Sequence, residues 1–141
     1  MAAAPSIRRL SVADLDEGSL RRLIEHGETL FVERKVREPE SGYGTAVASF
    51  ANTLGGWLLL GISDHGEIVG FDPGRGDFTD KVRHKLRAQI DPLPPFAATV
   101  LEVDGRQLGI IRVFESSDTP HLVIESGAIP VREPGGTRNV R

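Results

Sequence analysis

The pattern of apolar and polar residues divides the chain into helical and extended segments. Between Asp77 and Ile90 apolar residues recur every four positions, which predicts an amphipathic helix with one buried stripe. From Trp57 to Ile62 the apolar residues follow one another without alternation. This run predicts a strand that is buried on both of its faces.

Weaker signals supply the remaining elements. A glycine pair, Gly55-Gly56, is expected to end a helix capped by Thr45 and to let the helix end lie against the following strand. A turn at SDHGE is expected to return the chain as a hairpin through Ile68. Further helices and strands are predicted over Glu17–His26, Thr29–Lys35, Ala98–Val103, Leu108–Phe114 and, as one or two short strands, His121–Val131. The predicted fold is a single α+β domain with a mixed sheet flanked by helices.

Length and composition narrow the class of protein. A chain of 141 residues fits one domain, and we expect residues 1–27 to form an N-terminal leader with helices and residues 28–141 to form the domain itself. The absence of cysteine excludes disulfides and thiolate metal sites, and a reducing cytoplasm is the expected location. The apolar runs are too short to span a bilayer, so no membrane partner is expected.

The net charge of −3 does not by itself indicate a nucleic-acid-binding protein, but basic residues cluster locally. With the apolar stripe of the 77–90 helix facing inward, its outer faces carry basic side chains that could neutralise phosphates. The candidates are Lys81, His84, Lys85 and Arg87. The C-terminal tail adds Arg132, Arg138 and Arg141. The alternative is an ordinary solvated helix face.

Three carboxylates lie at the ends of predicted strands: Glu28, Glu33 and Asp64. Three converging carboxylates would suit Mg²⁺ or Mn²⁺, as in phosphodiester hydrolysis. On an extended chain Glu28 and Glu33 would be roughly 16 Å apart, so they converge only if the chain bends near Thr29. The alternative is that all three are solvated.

Other chemistries lack their sequence signals. The four histidines have no zinc-like spacing, and the glycine-rich GFDPGRG lacks the G-x-x-x-x-G-K-[ST] pattern of a phosphate-binding loop. No Ser-His-Asp elbow is present either.

Three stretches together resemble the Schlafen AlbA-type domain: ETLFVERK, FANTLGGWLLLGISDHGEIVG and PHLVIESGAIPVREPGGTR. The similarity covers about Glu28 to Arg138, and FANTLGG followed by the GISD turn is its most specific part. The resemblance implies a nucleic-acid-binding domain, and some members of the family cleave transfer or ribosomal RNA.

Position by position, the resemblance assigns Glu28, Glu33 and Asp64 as the catalytic residues and metal ligands, with Mg²⁺ or Mn²⁺ as the ion. It leaves Lys35 either as a phosphate contact or as the ion-pair partner of Glu33. RNA is the expected ligand, with Lys35, the four candidates on the 77–90 helix and Arg138 as its contacts.

Because the eukaryotic nucleases of the family pair two such modules, a single module predicts a homodimer. Two alternatives stay open at this point. One is a non-catalytic DNA- or RNA-binding module of a transcription regulator, and the other is a protein-interaction domain.

Overall fold

Three α-helices form in the part of the chain that the structure, a computed structural model, describes: residues 10–26, 29–38, 42–134 and 136–140. They are α1 (Glu17–His26), α2 (Gly44–Ala51) and α3 (Phe78–Gln89), preceded by a 3₁₀ turn at Val12–Asp14. Asp77 caps α3 through its side chain, which accepts a hydrogen bond from the Asp80 amide at 2.9 Å. Within the described ranges, no helix has the length and apolar character needed to cross a membrane.

Eight strands accompany the helices in the same described ranges: β1 (Val32–Lys35), β2 (Gly56–Leu60), β3 (Ile90–Asp91), β4 (Phe96–Val103), β5 (Arg106–Val113), β6 (Leu122–Val123), β7 (Pro130–Glu133) and β8 (Gly136–Asn139). The main sheet has the order β1-β2-β5-β4, with β1 parallel to β2 and the other pairs antiparallel. Small two-stranded sheets join β3 to β6 and β7 to β8. This mixed sheet with its helices confirms the predicted α+β fold.

Side chains of the main sheet pack into two apolar cores, one on each face. Leu58 and Leu60 of β2 join α2 and α3 on one face, while Trp57 and Leu59 join α1 on the other. Every residue of β2 is buried, as the uninterrupted apolar run predicts. The predicted stripe of α3 also lies in or against the core it shares with α2.

The α1 face of the sheet holds a buried arginine. The Arg112 guanidinium lies 5.0 Å from the centre of the Trp57 ring and 4.9 Å from that of Phe114. Its Nε donates to the Leu10 carbonyl oxygen at 2.9 Å. Arg112 therefore ties the segment that precedes α1 to the centre of the sheet.

The end of α2 has the conformation that its two glycines predict. Gly55 has a φ of 77°, in the left-handed region, and its amide donates to the Phe50 carbonyl oxygen at 2.8 Å. Gly56 starts β2 directly under the Phe50 ring, where a Cβ atom would overlap that ring and lie 2.8 Å from the Phe31 carbonyl oxygen. The close approach of helix and strand is thus confirmed.

Two local predictions are wrong. The predicted N-cap, Thr45, lies inside α2, which begins at Gly44 after Tyr43 in the cap position, with no capping side chain. The expected hairpin partner of β2 is reduced to one antiparallel bridge between Ile62 and Ile68. In addition, the C-terminal residues form the β7–β8 hairpin, of which the pattern indicated only the first part.

Candidate functional site

A cleft of about 240 Å³ opens where β1, the start of α2 and β8 meet, and we call it the Lys35 cleft. Strand alternation produces it, because Glu33 and Lys35 point to the α2 side of the sheet while Val32 and Arg34 are buried on the α1 side. The lining residues are Glu33, Lys35, Gly42, Tyr43, Thr45, Ala46 and Thr137.

The Glu33 carboxylate in this cleft is already paired with cationic groups. Its Oε1 accepts a hydrogen bond from Nη1 of Arg132 at 2.8 Å, and its Oε2 lies 4.0 Å from Nζ of Lys35. The Glu33 side chain is 12% exposed, against 1% for that of Arg132. Since the guanidinium compensates the carboxylate, the Lys35 ammonium adds positive charge to the cleft.

Arg132 corrects an expectation from the sequence. The tail arginines were expected to be available to phosphates, but the Arg132 guanidinium is buried over the Phe50 ring, 4.5 Å from its centre. Its amide also donates to Oγ1 of Thr53 at 2.9 Å. Arg132 is therefore a partner of Glu33 inside the protein, on the side of the cleft away from solvent.

The structure describes two of the three predicted metal ligands, Glu33 and Asp64. Glu28 lies outside the described residues. Asp64 is exposed in the turn after β2, and its carbonyl oxygen accepts a bond from Nη2 of Arg34 at 2.6 Å. Arg34 also donates to the Ile24 carbonyl oxygen, so this contact belongs to the α1 side of the sheet, opposite the side chain of Glu33.

Asp64 is not among the residues that line the Lys35 cleft. Among the described residues, no group of three His, Asp or Glu side chains could hold a metal ion. Glu33, next to two cations, fits a divalent ion poorly. The complete triad stays a prediction, since Glu28 falls outside the described ranges.

Two of the basic residues predicted as contacts on α3 already bind oxygen atoms of the protein, and two are exposed. Nζ of Lys81 donates to the Pro73 carbonyl oxygen, and Nζ of Lys85 pairs with the Glu38 carboxylate. His84 and Arg87 are exposed to solvent. Lys85 also lies 5.9 Å from the centre of the Tyr43 ring, so this flank of α3 adjoins the Lys35 cleft.

The predicted contact Arg138 lies beside the cleft without entering it. Its Nε donates to Oε2 of Glu133 at 3.1 Å on the exposed side of the β7–β8 hairpin. Its neighbour Thr137 faces the other way, toward Arg132 and the cleft.

Of the lining residues, Glu33 and Lys35 alone were site candidates from the sequence; Tyr43 and Thr137 were missed because nothing local marks them as neighbours of Lys35. Burial, and then the negative charge of Glu38, raise the pKa of Tyr43 well above its usual range. The phenol therefore stays neutral. Together with Thr45 and Thr137 it gives the cleft three hydroxyl-bearing walls around one ammonium group, an arrangement suited to an anion that accepts hydrogen bonds.

Comparison with known proteins agrees with this architecture. The sequence profile of the family described as Schlafen, AlbA_2 matches residues 28–141. No curated protein matches the sequence significantly.

Two solved structures share the fold. One is the N-terminal domain of a Nitrosomonas europaea protein named as ATP-dependent DNA helicase RecG-related, with a TM-score of 0.60 and 22% identity, covering 86% of this chain and 92% of that one. The other is a Corynebacterium diphtheriae protein, with a TM-score of 0.61 and 22% identity over 87% of this chain. This chain spans only 26% of the latter protein's length.

Proposed function

The chain belongs to the Schlafen AlbA_2 family, and we propose that it is a nucleic-acid-binding domain that holds a backbone phosphate in the Lys35 cleft. The observation that carries the proposal is the charge balance in the cleft. Arg132 neutralises Glu33 from inside the protein, which leaves the Lys35 ammonium to attract an anion.

The walls of the cleft support a phosphate as that anion. Phosphate oxygens accept hydrogen bonds, and Lys35, Thr45 and Thr137 present donors around a volume of about 240 Å³. The first amides of α2 adjoin the same space, and amides at a helix start have no acceptor within their own helix. All of these groups would contact the backbone and not the bases, so we expect weak sequence preference.

The flank of α3 extends the proposed interface. Lys81, His84 and Lys85 follow one side of the helix, and Lys85 adjoins the cleft through Tyr43. A single strand that enters the cleft would then pass along this flank. The ion pair with Glu38 reduces the contribution of Lys85, so Lys35 should dominate.

We take RNA as the ligand, on the strength of the family resemblance. DNA is the competing ligand, because the Nitrosomonas protein is named as related to a DNA helicase. Single-stranded RNA, an RNA hairpin and duplex DNA, each carrying a fluorescent label, should therefore be compared by fluorescence anisotropy over about 50 to 200 mM salt.

The decisive comparison uses Lys35→Gln and Arg22→Gln. Each substitution removes one positive charge, but Arg22 lies on α1, on the opposite face of the sheet, where it donates to Ser19. A charged hydrogen bond to phosphate contributes about 1.5 kcal/mol, so Lys35→Gln should weaken binding about tenfold. It should also reduce the salt slope by about one unit, while Arg22→Gln stays close to wild type. Equal effects of both variants, or no binding by the wild type at low salt, would contradict the proposal.

Metal-dependent RNA cleavage by Glu28, Glu33 and Asp64, which the family resemblance implies, is the competing hypothesis for the same domain, and the pairing of Glu33 with Arg132 and Lys35 argues against it. Its support among the described residues is the exposed position of Asp64. The test is incubation of labelled RNA with Mn²⁺ or with EDTA, using the wild type and Asp64→Asn. We expect binding without cleavage in both solutions. Cleavage that needs Mn²⁺ and disappears in Asp64→Asn would establish the nuclease instead.

Self-association as a homodimer also belongs to this proposal. One module offers one cleft, and a second copy joined at the sheet edge opposite β1 would add a second cleft for the same nucleic acid. The eight-residue β4 is an edge strand of the main sheet and offers a contact that two copies could share symmetrically. Light scattering at high protein concentration should give twice the mass of the chain. The mass of a single chain would contradict the proposed homodimer.

A further inference from the structure

The Arg132 guanidinium lies in a cage of oxygen atoms. Nη1 donates to Oε1 of Glu33 at 2.8 Å and to Oγ1 of Thr137 at 3.1 Å, and Nη2 donates to the Thr29 carbonyl oxygen at 2.5 Å. The Phe50 ring closes one side of the cage. With its side chain 1% exposed, Arg132 is sealed into this position.

These three oxygens are of the kinds that bind a divalent cation. A carboxylate, a backbone carbonyl and a hydroxyl are hard oxygen ligands, which Mg²⁺, Mn²⁺ and Ca²⁺ prefer. In this chain Arg132 donates hydrogen bonds to all three of these oxygens. The cage therefore already contains a cation, supplied by the chain itself from 99 residues along the sequence from Glu33.

The second carboxylate oxygen of Glu33 is no better placed for a metal. It faces Nζ of Lys35 at 4.0 Å. A divalent ion bound there would lie close to both an ammonium and a guanidinium, and like charges disfavour one another at such distances. Because the guanidinium is buried, solvent would screen this repulsion little.

We propose that Arg132 is the resident cation of this cage and that Glu33 therefore does not ligate a divalent metal in this protein. Glu33 instead anchors the β7–β8 hairpin to β1 through Arg132. Binding of nucleic acid in the Lys35 cleft then needs no metal at Glu33. The inference stands independently of whether the cleft binds nucleic acid.

The proposal is tested first on the unaltered protein. Mn²⁺ is added in substoichiometric amounts, and the paramagnetic broadening of backbone amide signals is measured by NMR. We expect the amides of Glu33 and of its β2 neighbour Leu58 to stay sharper than those beside exposed carboxylates such as Glu102. Broadening centred on Glu33 and Leu58 would overturn the proposal without the need for any variant.

Calorimetric Mn²⁺ titration of Glu33→Gln provides the second measurement. Its matched control is Glu102→Gln, which removes an exposed carboxylate on β4. Both variants should bind Mn²⁺ within about twofold of wild type, or not at all if the wild type does not bind. A loss of tenfold or more that is confined to Glu33→Gln would overturn the proposal.

Arg132→Ala tests the cage directly, since it removes the resident cation and leaves the three oxygens. We expect Mn²⁺ to raise the melting temperature of this variant and to leave that of the wild type unchanged. A folded Arg132→Ala that is not stabilised by Mn²⁺ would show that the oxygens do not form a cation cage. If the variant folds only with Mn²⁺, the proposal is supported, and if it does not fold at all, the NMR measurement on the wild type decides.

Discussion

Replacing Gly56 with alanine should destabilise the protein by far more than a typical glycine-to-alanine change. The added Cβ would overlap the Phe50 ring and lie 2.8 Å from the Phe31 carbonyl oxygen. The Phe31 oxygen cannot yield easily, because it accepts the amide hydrogen of Trp57 at 2.8 Å in the link between β1 and β2. The helix or the strand must therefore shift.

The size of the effect follows from these contacts. Overpacking a filled core costs about 1–3 kcal/mol, and two blocked directions place Gly56→Ala near the upper end of this range. The better strand preference of alanine recovers about 0.5 kcal/mol, which leaves a loss of about 2–3 kcal/mol. For a chain of this length the melting temperature should fall by roughly 6–9 °C.

The assay is urea unfolding of Gly56→Ala, Phe50→Leu and the double variant. Phe50→Leu alone should cost about 1–2 kcal/mol, since it leaves space in the core. Because it also removes one of the two clashes, the double variant should be more stable than the sum of the single losses predicts, by about 1 kcal/mol.

A control variant, Gly136→Ala, separates steric overlap from a general effect of removing a glycine. A Cβ at Gly136 meets no atom within 4 Å, so its stability should stay within about 0.5 kcal/mol of wild type. Strict additivity of Gly56→Ala and Phe50→Leu would refute the reasoning, because the two sites would then not be in conflict. A Gly56→Ala variant that is as stable as Gly136→Ala would also refute the reasoning.

Three further variants probe separate elements. Asp77→Ala removes the cap of α3 and should lower the free energy of unfolding by about 1 kcal/mol in urea; an unchanged midpoint would mean that the cap contributes nothing. Gly18→Ala should raise the free energy of unfolding by about 0.5–1 kcal/mol, because alanine favours a helix more than glycine does and the new Cβ has room, 3.5 Å from Oδ1 of Asp16. A loss of stability would contradict this expectation. The raised pKa of Tyr43 means that the unfolded chain releases this proton first, near pH 10, so stability from this group is present below pH 10 and falls above it. Tyr43→Phe should show a smaller alkaline loss in urea titrations, and identical losses would exclude this residue as the cause.

The elements with strong local signals were predictable. The helix predicted over Glu17–His26 is α1 with the same bounds, since its apolar spacing needs no distant partner to be recognised. The run from Trp57 gave β2 for the same reason, although its bounds differ by a residue or two. The Gly55-Gly56 pair also predicted the left-handed residue at the end of α2.

The chemistry of the site was less predictable because it depends on pairs of residues that are far apart in the sequence. Glu33 on an edge strand requires a counter-charge, but the chain has 17 lysines and arginines, and nothing local singles out Arg132. The β8 segment GTRN lacks the β-branched alternation that identifies a strand, so the position of Thr137 was not foreseen. Glu33 and Lys35 lie two positions apart on β1, so strand alternation puts both on one side of the sheet.

The contact between Arg112 and Trp57 has a further consequence, because Trp57 is the only tryptophan of the chain. Its indole is fully buried near the start of β2, and Arg112 connects its surroundings to the Leu10 carbonyl oxygen. The tryptophan fluorescence of the protein therefore comes from one site that senses both the integrity of the sheet and the attachment of the N-terminal segment. Folding of the protein can therefore be followed by the intrinsic fluorescence of Trp57, without an attached dye.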